Sequence, residues 1–559
     1  MKLWPSLILL VAGCAAPGAQ APVRAIATLP PIEIQILAIN DFHGSIQSSG
    51  PVTAIGSAGA TTALLQGGAA QLGAALEKAR HGFGITVAAG DLIGASPLES
   101  AFFLDEPTID AMNLIGLDLA AVGNHEFDRG PRELWRMQAG GCARFVANRT
   151  PCRLEPFKGA NFRYLAANVR KEDGETLFDP ATVRQIGPVK IGFIGMTLRD
   201  TGSLVTPAGV AGLHFEDEAT TANALVPRLK AAGADAIVLL IHQGGKVPET
   251  FRLDGCEGLS GAILPILDKL DPAIRIVVSG HTHHAYACEI ERGGAKRLLT
   301  SAGKYGYFFT DIRLRFDPST HALISESGVN APVVSTGPQQ ADVAALVARY
   351  VAAARPAAER VVGHLADPAR HGDDDRESPL GDLIADSQLA WTRPPARGGA
   401  RIALVNSGGV RTDLVPRPDG SLTYGQIFAV QPFGNGLVVK TLTGAQLKSL
   451  LEQQFTNDMP GKVSASLEPS AGFAFRYDLA RPVGQRIVAM TLGGKPIRAG
   501  QRYRVTVNNF LSSGGDGFTV LNAGIDPHDA SAELDAMEAW LKTGPKIPEL
   551  GRTRDVTRR

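Results

Sequence analysis

The chain has 559 residues, of which 44% are hydrophobic and 20% charged. It is too long for one ordinary core, so two or three domains are expected. Lysine plus arginine and aspartate plus glutamate are equal at 55 each. A general nucleic-acid binder usually shows a basic bias, so the composition argues against a nucleic-acid partner. Any ligand recognition must therefore come from a local site.

The N-terminus resembles an export signal. Lys2 is followed by an apolar run at residues 7–11 and by Cys14, which ends a stretch of small residues. The run is too short to span a bilayer as a helix. We interpret residues 1–14 as a lipoprotein-type signal with Cys14 as the lipidated residue; the alternative is a plain secretory signal. Both predict export to the periplasm or cell envelope, and the first adds a lipid anchor.

Four further cysteines follow: Cys142, Cys152, Cys256 and Cys288. An even number in an exported chain suggests disulfide bonds, and four cysteines allow three pairings. Pairing the sequence neighbours would close one short loop and bracket the segment around His281. None of the cysteines has zinc-ligand spacing, so we interpret them as structural.

The organisation of the rest follows in chain order. Residues 15–31 are rich in alanine and proline and are predicted to form a tether. Over residues 32–336, apolar runs of strand type alternate with helical patterns, which predicts an α/β catalytic domain. Residues 337–360 have apolar positions at helical spacing and are predicted to form a linker helix. A second mixed domain is predicted over residues 361–550.

In the first predicted domain, five apolar runs end abruptly in residue types that bind metals. The runs end at Asn40-Asp41-Phe42-His43, Gly90-Asp91, Gly123-Asn124-His125-Glu126-Phe127-Asp128, His242 and Gly280-His281-Thr282-His283. Ligands of open α/β sheets bind beyond the carboxyl ends of the strands, so these side chains are expected in one crevice. A single such cluster would be an ordinary loop, but five in order predict a metal site.

The mixture of ligands indicates the kind of metal. Carboxylate, amide and imidazole groups without thiolate suit divalent ions such as Mn, Zn, Fe or Co. A carboxylate that bridges two ions gives a pair of metals roughly 3.5–4 Å apart, and Asp91 is the candidate bridge. Such a pair lowers the pKa of a bound water and stabilises the attacking and leaving oxygens of a displacement. We therefore predict two divalent metal ions.

Together these motifs resemble the calcineurin-like metallophosphoesterase signature. The resemblance implies metal ligands at Asp41, His43, Asp91, Asn124, His242, His281 and His283. Asp41, Asp91 and His283 would hold one ion, and Asp91, Asn124, His242 and His281 the other. His125 and Asp128 resemble the catalytic His–Asp dyad of that family. Asn40 and Glu126 are expected to lie behind the ligands.

The second half contains polar, glycine-rich segments that narrow the expected substrate. They are Arg376-Glu377-Ser378-Pro379-Leu380-Gly381-Asp382, Asn406-Ser407-Gly408-Gly409-Val410-Arg411, Gln431-Pro432-Phe433-Gly434-Asn435 and Asn509-Phe510-Leu511-Ser512-Ser513-Gly514-Gly515-Asp516-Gly517-Phe518. With the first half they resemble the 5′-nucleotidase family over nearly the whole chain. The resemblance implies a four-layer αββα metallophosphoesterase domain and a mixed α/β nucleotide-binding domain, joined by a helix.

The same resemblance assigns roles in a substrate pocket. Phe433 and Phe510 would sandwich the base, because an aromatic face stacks on any base. Asp516 would bind the ribose hydroxyls. Arg376, Arg411 and Asn406 would contact the phosphate side, with the ribose open as a further contact.

Two features depart from the family pattern. Ser407 replaces the second residue of the Asn-Gly-Gly-Gly-Ile-Arg motif that many members carry. Residues 140–158, which include Cys142 and Cys152, resemble an extra loop near the active-site motif and could reshape access to it.

The expected function is therefore an exported phosphomonoesterase that hydrolyses nucleoside 5′-monophosphates to nucleoside and phosphate with metal-activated water. UDP-sugars and dinucleotides are open as further substrates. One alternative is a 2′,3′-cyclic nucleotide 2′-phosphodiesterase/3′-nucleotidase, which would use the same metals. Another is a non-catalytic nucleotide-binding surface protein, against which the His–Asp dyad argues. The sequence leaves the oligomeric state open.

Overall fold

The computed structural model describes Met1 and residues 29–557, except 49–50, 57–58, 60, 66, 147–148, 373–375, 456–462 and 464. The predicted signal with Cys14 and most of the predicted tether lie outside the described residues. Within the described part of the chain, no helix combines the length and apolarity needed to span a membrane.

The first half contains two six-stranded sheets. In spatial order, the strands of the first sheet are Leu323–Pro332, Phe308–Phe316, Ile32–Ile39, Phe83–Ala89, Leu119–Ala121 and Arg163–Leu165. Those of the second are Ala285–Arg292, Ala295–Ala302, Ile274–Ser279, Ala236–His242, Val189–Thr197 and Ala181–Ile186. The central strands of both sheets run parallel, so their carboxyl ends share one edge. They are covered on both faces, which explains their continuous apolar sequence.

The sheets pack face to face between two layers of helices. Side chains such as Ile36, Val87 and Val238 fill the space between the sheets. The outer face of the first sheet is covered by helices Ala69–Ala79, Glu106–Ile115, Pro131–Ala139 and Ala341–Ala358. The outer face of the second is covered by Glu218–Ala231 and Ile263–Lys269. The four-layer αββα fold implied by the sequence is confirmed.

Shorter elements complete this half. They are the strand pairs Pro51–Ile55 with Thr61–Leu65 and Val169–Lys171 with Leu213–Phe215, the helices Leu98–Ala101 and Thr201–Leu204, and the 3₁₀ turn His125–Phe127. Disulfide bonds join Cys142 to Cys152 and Cys256 to Cys288, which are the pairs of sequence neighbours.

The second half is a mixed α/β structure, as expected. Its five-stranded sheet has the order Leu467–Pro469, Ile402–Asn406, Arg502–Asn508, Gly436–Thr443 and Ile525–Ala532. A four-stranded sheet has the order Lys495–Pro496, Ile487–Leu492, Phe473–Tyr477 and Thr553–Asp555, and Val361–His364 pairs with Ser421–Thr423. Its helices are Pro379–Thr392, Tyr424–Val430, Gly444–Glu452, Asn509–Ser512 and Glu533–Leu541, with 3₁₀ turns at Pro395–Arg397, Ser407–Gly409, Gly515–Gly517 and Thr519–Ala523.

Helix Ala341–Ala358 lies in the stretch predicted as a linker. Its residues Val343, Leu346 and Tyr350 join the helix layer of the first half. Ala357 and Ala358 at its end pack against the core of the second half. The helix therefore contacts both halves, although the domain limits given above remain predictions.

Candidate metal centre and substrate cleft

Two groups of side chains at the carboxyl edge of the sheets could each hold a metal ion. One consists of Asp41, His43 and His283, and the other of Asp91, His242 and His281. Within each group, one ligand atom from every residue lies within 4.8 Å of the others. The amide of Asn124 adjoins the second group, since its Oδ1 lies 3.1 Å from Nε2 of His242 and 3.1 Å from Nδ1 of His281. All seven residues predicted as ligands therefore converge.

Asp91 lies between the two groups. Its Oδ2 is 2.9 Å from Nε2 of His242 and 3.6 Å from Nε2 of His43. One carboxylate thus faces both groups, which is the geometry expected of a bridging ligand.

The histidine nitrogens in both groups are oriented toward a cation. His43 and His242 each donate from Nδ1 to a backbone carbonyl, that of Gly94 at 2.9 Å and that of Ala89 at 2.8 Å. Their Nε2 atoms therefore point into the centre. Nε2 of His43 lies only 3.1 Å from Nε2 of His283. Burial holds the pKa of both imidazoles well below the ordinary range, so both are neutral. Two converging lone pairs suit a shared metal ion.

The carboxylate of Asp91 also favours a positive charge between the two metal groups. Burial lowers the pKa of His242, but the neighbouring Asp91 carboxylate outweighs burial and raises it to about 9. Burial raises the pKa of Asp91, whereas His242, His125 and His43 together hold it below its usual range. The site therefore stabilises a cation beside Asp91, whether a proton or a metal ion. These residues fit a pair of divalent ions.

Five of the candidate ligands have left-handed backbone conformations. They are Asp41 (φ 50°), His43 (φ 48°), Asp91 (φ 51°), His281 (φ 72°) and His283 (φ 62°). This conformation costs a non-glycine residue about 1–2 kcal/mol, and such costs concentrate at functional sites. It turns the chain sharply at each strand end. The backbone N–H groups of Asp41 and His43 donate to the carbonyls of Gly90 and Asp91 and hold the two loops together.

Two glycines are required by the close approach of these loops. A Cβ on Gly123 would lie 2.1 Å from Oδ1 of Asp91. A Cβ on Gly90, which has φ +84°, would lie 2.7 Å from Nδ1 of His242. Any side chain at either position would displace a candidate ligand.

Asn40 and Glu126 position the candidate ligands through hydrogen bonds, as expected. Asn40 donates from Nδ2 to Oδ2 of Asp41 at 2.7 Å and accepts from the backbone of Ala302 at 2.6 Å. The Glu126 carboxylate accepts from the backbone N–H groups of Asp91 at 2.9 Å and of Gly123 at 2.6 Å. These bonds fix the positions of the strand-end loops.

His125 and Asp128 form the expected pair beside the metal groups. Nδ1 of His125 lies 3.0 Å from Oδ2 and 3.1 Å from Oδ1 of Asp128. Its backbone N–H donates to Oδ1 of Asp91 at 2.9 Å. Burial lowers the pKa of His125, but Asp128 and Asp91 outweigh burial and raise it above its ordinary value. The ring is therefore poised to carry a positive charge or to donate a proton.

Two residues of the second half, Phe433 and Arg411, lie near His125 and Asp128. The rings of Phe433 and His125 are stacked, with centroids 5.8 Å apart and planes 24° apart. Cζ of Arg411 lies 5.8 Å from the Phe433 ring centroid. Among the described residues, Nε and Nη2 of Arg411 are buried with no hydrogen-bond partner. Two unused donors near His125 can bind the oxygens of an anion.

Asn406, Phe510 and Asp516 form a separate group in the second half. Asn406 donates from Nδ2 to Oδ2 of Asp516 at 2.7 Å and accepts from Nδ2 of Asn508 at 3.2 Å. Phe510 lies against Gly515, where a Cβ would be 2.4 Å from the ring. Asn406 is thus paired with the residue assigned to ribose, which is one of the two places that the resemblance implied for it.

Arg376 lies elsewhere in the second half. Its side chain is exposed, and its backbone carbonyl accepts from Oγ of Ser466 at 3.4 Å. It borders a small cavity with Glu377 and Phe455. Arg411 therefore lies near His125, whereas Arg376 lies in the wall of a different cavity.

Sequence reasoning missed Lys304 and Tyr305. The backbone N–H of Tyr305 donates to the carbonyl of Asp41 at 2.7 Å, and its ring lies 5.8 Å from that of His43 and 6.0 Å from that of His283. Nζ of Lys304 lies 4.7 Å from the Tyr305 ring centroid. A signal was present, because strand Ala295–Ala302 is followed by a glycine-flanked polar turn at residues 303–306.

Comparison with known proteins agrees with this geometry. Residues 34–285 match the family model for calcineurin-like phosphoesterases, which use divalent metal ions. Residues 358–523 match the 5′-nucleotidase C-terminal domain. A solved structure of a 5′-nucleotidase precursor from Thermus thermophilus has a TM-score of 0.77 and 26% identity, covering 94% of this chain and 100% of that one.

Two bacterial relatives align over almost the whole chain. A cell wall protein of Listeria monocytogenes is 30% identical over 565 residues, which are 93% of this chain and 69% of the relative. An endonuclease of Bacillus subtilis is 28% identical over 92% of this chain, which spans only 40% of the endonuclease. The chain is a hydrolase of phosphoester bonds and belongs to the 5′-nucleotidase family, with a calcineurin-like phosphoesterase part and a 5′-nucleotidase C-terminal part.

Proposed function

We propose that the protein is an exported phosphomonoesterase that hydrolyses nucleoside 5′-monophosphates to nucleoside and phosphate. One observation carries the proposal: Phe433 of the second half stacks on His125 of the first, and Arg411 lies beside Phe433. Anion-binding donors, an aromatic face and a proton donor are therefore side by side at the metal groups. A nucleotide offers a phosphate, a base and an alkoxide leaving group to these three features.

The metal ions would be held by the residues that converge at the strand ends: Asp41, His43, Asp91, Asn124, His242, His281 and His283. When bound, two such ions supply an activated water and neutralise charge on the phosphate. The two unused donors of Arg411 would bind phosphate oxygens and orient the group. His125, held by Asp128, would stabilise the phosphoryl oxygens or protonate the departing O5′ alkoxide.

Selection of the nucleoside would come from the second half. Phe433 and Phe510 are half-buried and offer aromatic faces to a base. Asp516 would accept hydrogen bonds from the ribose hydroxyls, and its bond from Asn406 would fix its position. Arg376 would contact a phosphate group only if the substrate extended into the cavity that Arg376 borders.

Export is also part of the proposal. The cell wall assignment of the Listeria relative supports a place outside the cytosol. The two disulfide bonds suit an oxidising compartment. Anchoring through Cys14 follows from the sequence signal alone, and mass spectrometry of the mature N-terminus would detect the lipid.

Base recognition can be tested by comparing phosphate release from AMP with that from ribose 5-phosphate. With Mn or Zn bound, the full chain should release phosphate from AMP with a kcat/KM about 10–100-fold above that for ribose 5-phosphate, because base stacking contributes about 1–3 kcal/mol. Equal values would argue against base recognition.

A cyclic-nucleotide phosphodiesterase is the second candidate, because a relative named an endonuclease aligns over 92% of this chain. Turnover of 2′,3′-cyclic AMP without phosphate release from AMP would replace the monoesterase proposal with this one. UDP-sugars and dinucleotides belong in the same series, since hydrolysis of their anhydride bonds needs the same metal groups.

A further inference from the structure

A basic pocket lies outside the metal centre, where the two halves meet. It has a volume of about 500 Å³ and is lined by Phe102, Arg149, Thr150, Cys152 and Arg153. All but Phe102 belong to the loop at residues 140–158, which the Cys142–Cys152 disulfide closes. The side chain of Phe102 packs against the cores of both halves.

Among the described residues, no carboxylate pairs with Arg149. No hydrogen bond or ion pair in this part of the chain involves its side chain, and the residue is partly buried. Burial, followed by the nearby charges of Arg129 and Arg153, lowers its pKa. The carboxylate of Asp105 acts on it, but that carboxylate is already bound by Arg129 at 2.5 Å and by Oγ of Ser100 at 2.7 Å. The pocket therefore has an excess of positive charge.

Arg153 adds a second guanidinium with a fixed orientation. Its Cζ lies 3.9 Å from the centroid of the Phe102 ring, which is a stacked arrangement. Stacking occupies the face of the guanidinium and leaves the N–H groups at its edge available. Within the described part of the chain, Arg153 also has no carboxylate partner. Two such groups around one cavity suit the oxygens of a phosphate.

The pocket is also connected to the metal centre. Arg129 follows Asp128 of the dyad directly in sequence. Its partner Asp105 accepts from the backbone N–H of Gly94 at 3.3 Å, and the carbonyl of Gly94 accepts from Nδ1 of His43. Arg129 and Asp105, whose charges act on Arg149, thus lie between the pocket and the loop that positions a candidate metal ligand.

We propose that this pocket binds a phosphate group outside the metal centre, through Arg149 and Arg153. The group is either a second phosphate of a substrate larger than a mononucleotide or a separate phosphate-containing anion. The inference goes beyond the proposed function and does not depend on it, because binding needs neither metal nor turnover.

The test is calorimetric titration of the chelator-treated full chain with inorganic pyrophosphate. Removal of metal weakens binding at the catalytic centre and isolates the pocket. The Arg149→Gln/Arg153→Gln double variant should bind pyrophosphate about 100-fold more weakly than the wild type, at about tenfold for each lost charged donor. Arg144→Gln is the matched control, since Arg144 is an exposed arginine of the same loop. The Arg149→Gln single variant keeps the stack on Phe102 and should lose about tenfold.

Unchanged pyrophosphate binding in the double variant would overturn the proposal, and so would an equal loss in Arg144→Gln. Steady-state rates of the metal-loaded enzyme then separate the two sources of phosphate. A KM that rises for ADP and not for AMP assigns the pocket to the substrate. Unchanged KM values together with lost pyrophosphate binding assign it to a separate anion.

Discussion

The strand-end loops of the first half and the glycine-rich loops of the second half differ in how tightly they hold their polar side chains. Asp41, His43 and His242 are 0% exposed, and each donates a hydrogen bond to a backbone carbonyl of residues 89–94. Phe433 and Asp516 in the second half are only half-buried.

This difference separates the residues that carry out the reaction from those that select the substrate. The metal groups are positioned before any substrate arrives, at the cost of several left-handed residues. The second half contributes groups with unused donors or ring faces, of which Arg411 is the clearest example. Substitutions of the metal groups in the first half should therefore abolish turnover of every substrate, and those of Phe433, Phe510 or Asp516 in the second should change which substrate is preferred.

The largest effect is expected from Asp91→Asn. Its carboxylate faces both metal groups, so removing its charge should lower the metal content and reduce turnover of every substrate below detection. Metal analysis and phosphate release on the same sample measure both losses. Asp173→Asn, which changes an exposed carboxylate, is the control and should behave as wild type. Full activity in Asp91→Asn would contradict the bridging assignment.

His125→Asn should separate catalysis from metal binding. General acid catalysis contributes about 10²–10⁴-fold, so kcat should fall by that factor for AMP and ribose 5-phosphate alike. The metal content should remain that of the wild type, because His125 belongs to neither metal group. Phosphate release at the wild-type rate would remove His125 from the mechanism.

Phe433→Leu should change selectivity and leave the chemistry intact. We expect KM for AMP to rise about 5–100-fold, as for the loss of one stacking face, with little change for ribose 5-phosphate. Steady-state kinetics on both substrates check this, with Phe83→Leu as a control at an exposed phenylalanine. Equal losses on both substrates would place Phe433 with the catalytic groups and erase the contrast between the halves.

The smallest effect concerns the pH dependence of the loop that carries Phe433. Nε2 of Gln431 donates to Oε2 of Glu533 at 3.1 Å, and the backbone N–H of Glu533 donates to the carbonyl of Asn435 at 3.0 Å. Burial raises the pKa of Glu533 to about 8. A raised pKa means that the neutral carboxyl stabilises the fold below its unfolded pKa and that this contribution is lost as the pH rises through 8.

Melting temperatures measured between pH 5 and pH 9 test whether stability falls as the pH rises. The melting temperature of the wild type should fall toward pH 9 relative to that of Glu533→Gln, in which the position cannot ionise. Parallel pH profiles for the two proteins would show that Glu533 does not titrate in this range.

The metal centre could be predicted because its signal is local. Each ligand follows directly on an apolar strand, and parallel strands bring their carboxyl ends to one edge. Tyr305 occupies the same kind of strand end but is not a ligand type, so the pattern passed over it. The pairing of Asn406 with Asp516 and the stack of Phe433 on His125 join residues far apart in sequence. Such contacts depend on tertiary packing, which no spacing rule encodes.

The most direct test of the account is phosphate release from AMP by the purified protein before and after chelation. The account predicts release with Mn or Zn bound, loss of release on removal of metal, and recovery when about two metal ions per chain are restored. Release that continues in the metal-free protein would contradict the central claim that the strand-end side chains work through bound metal ions.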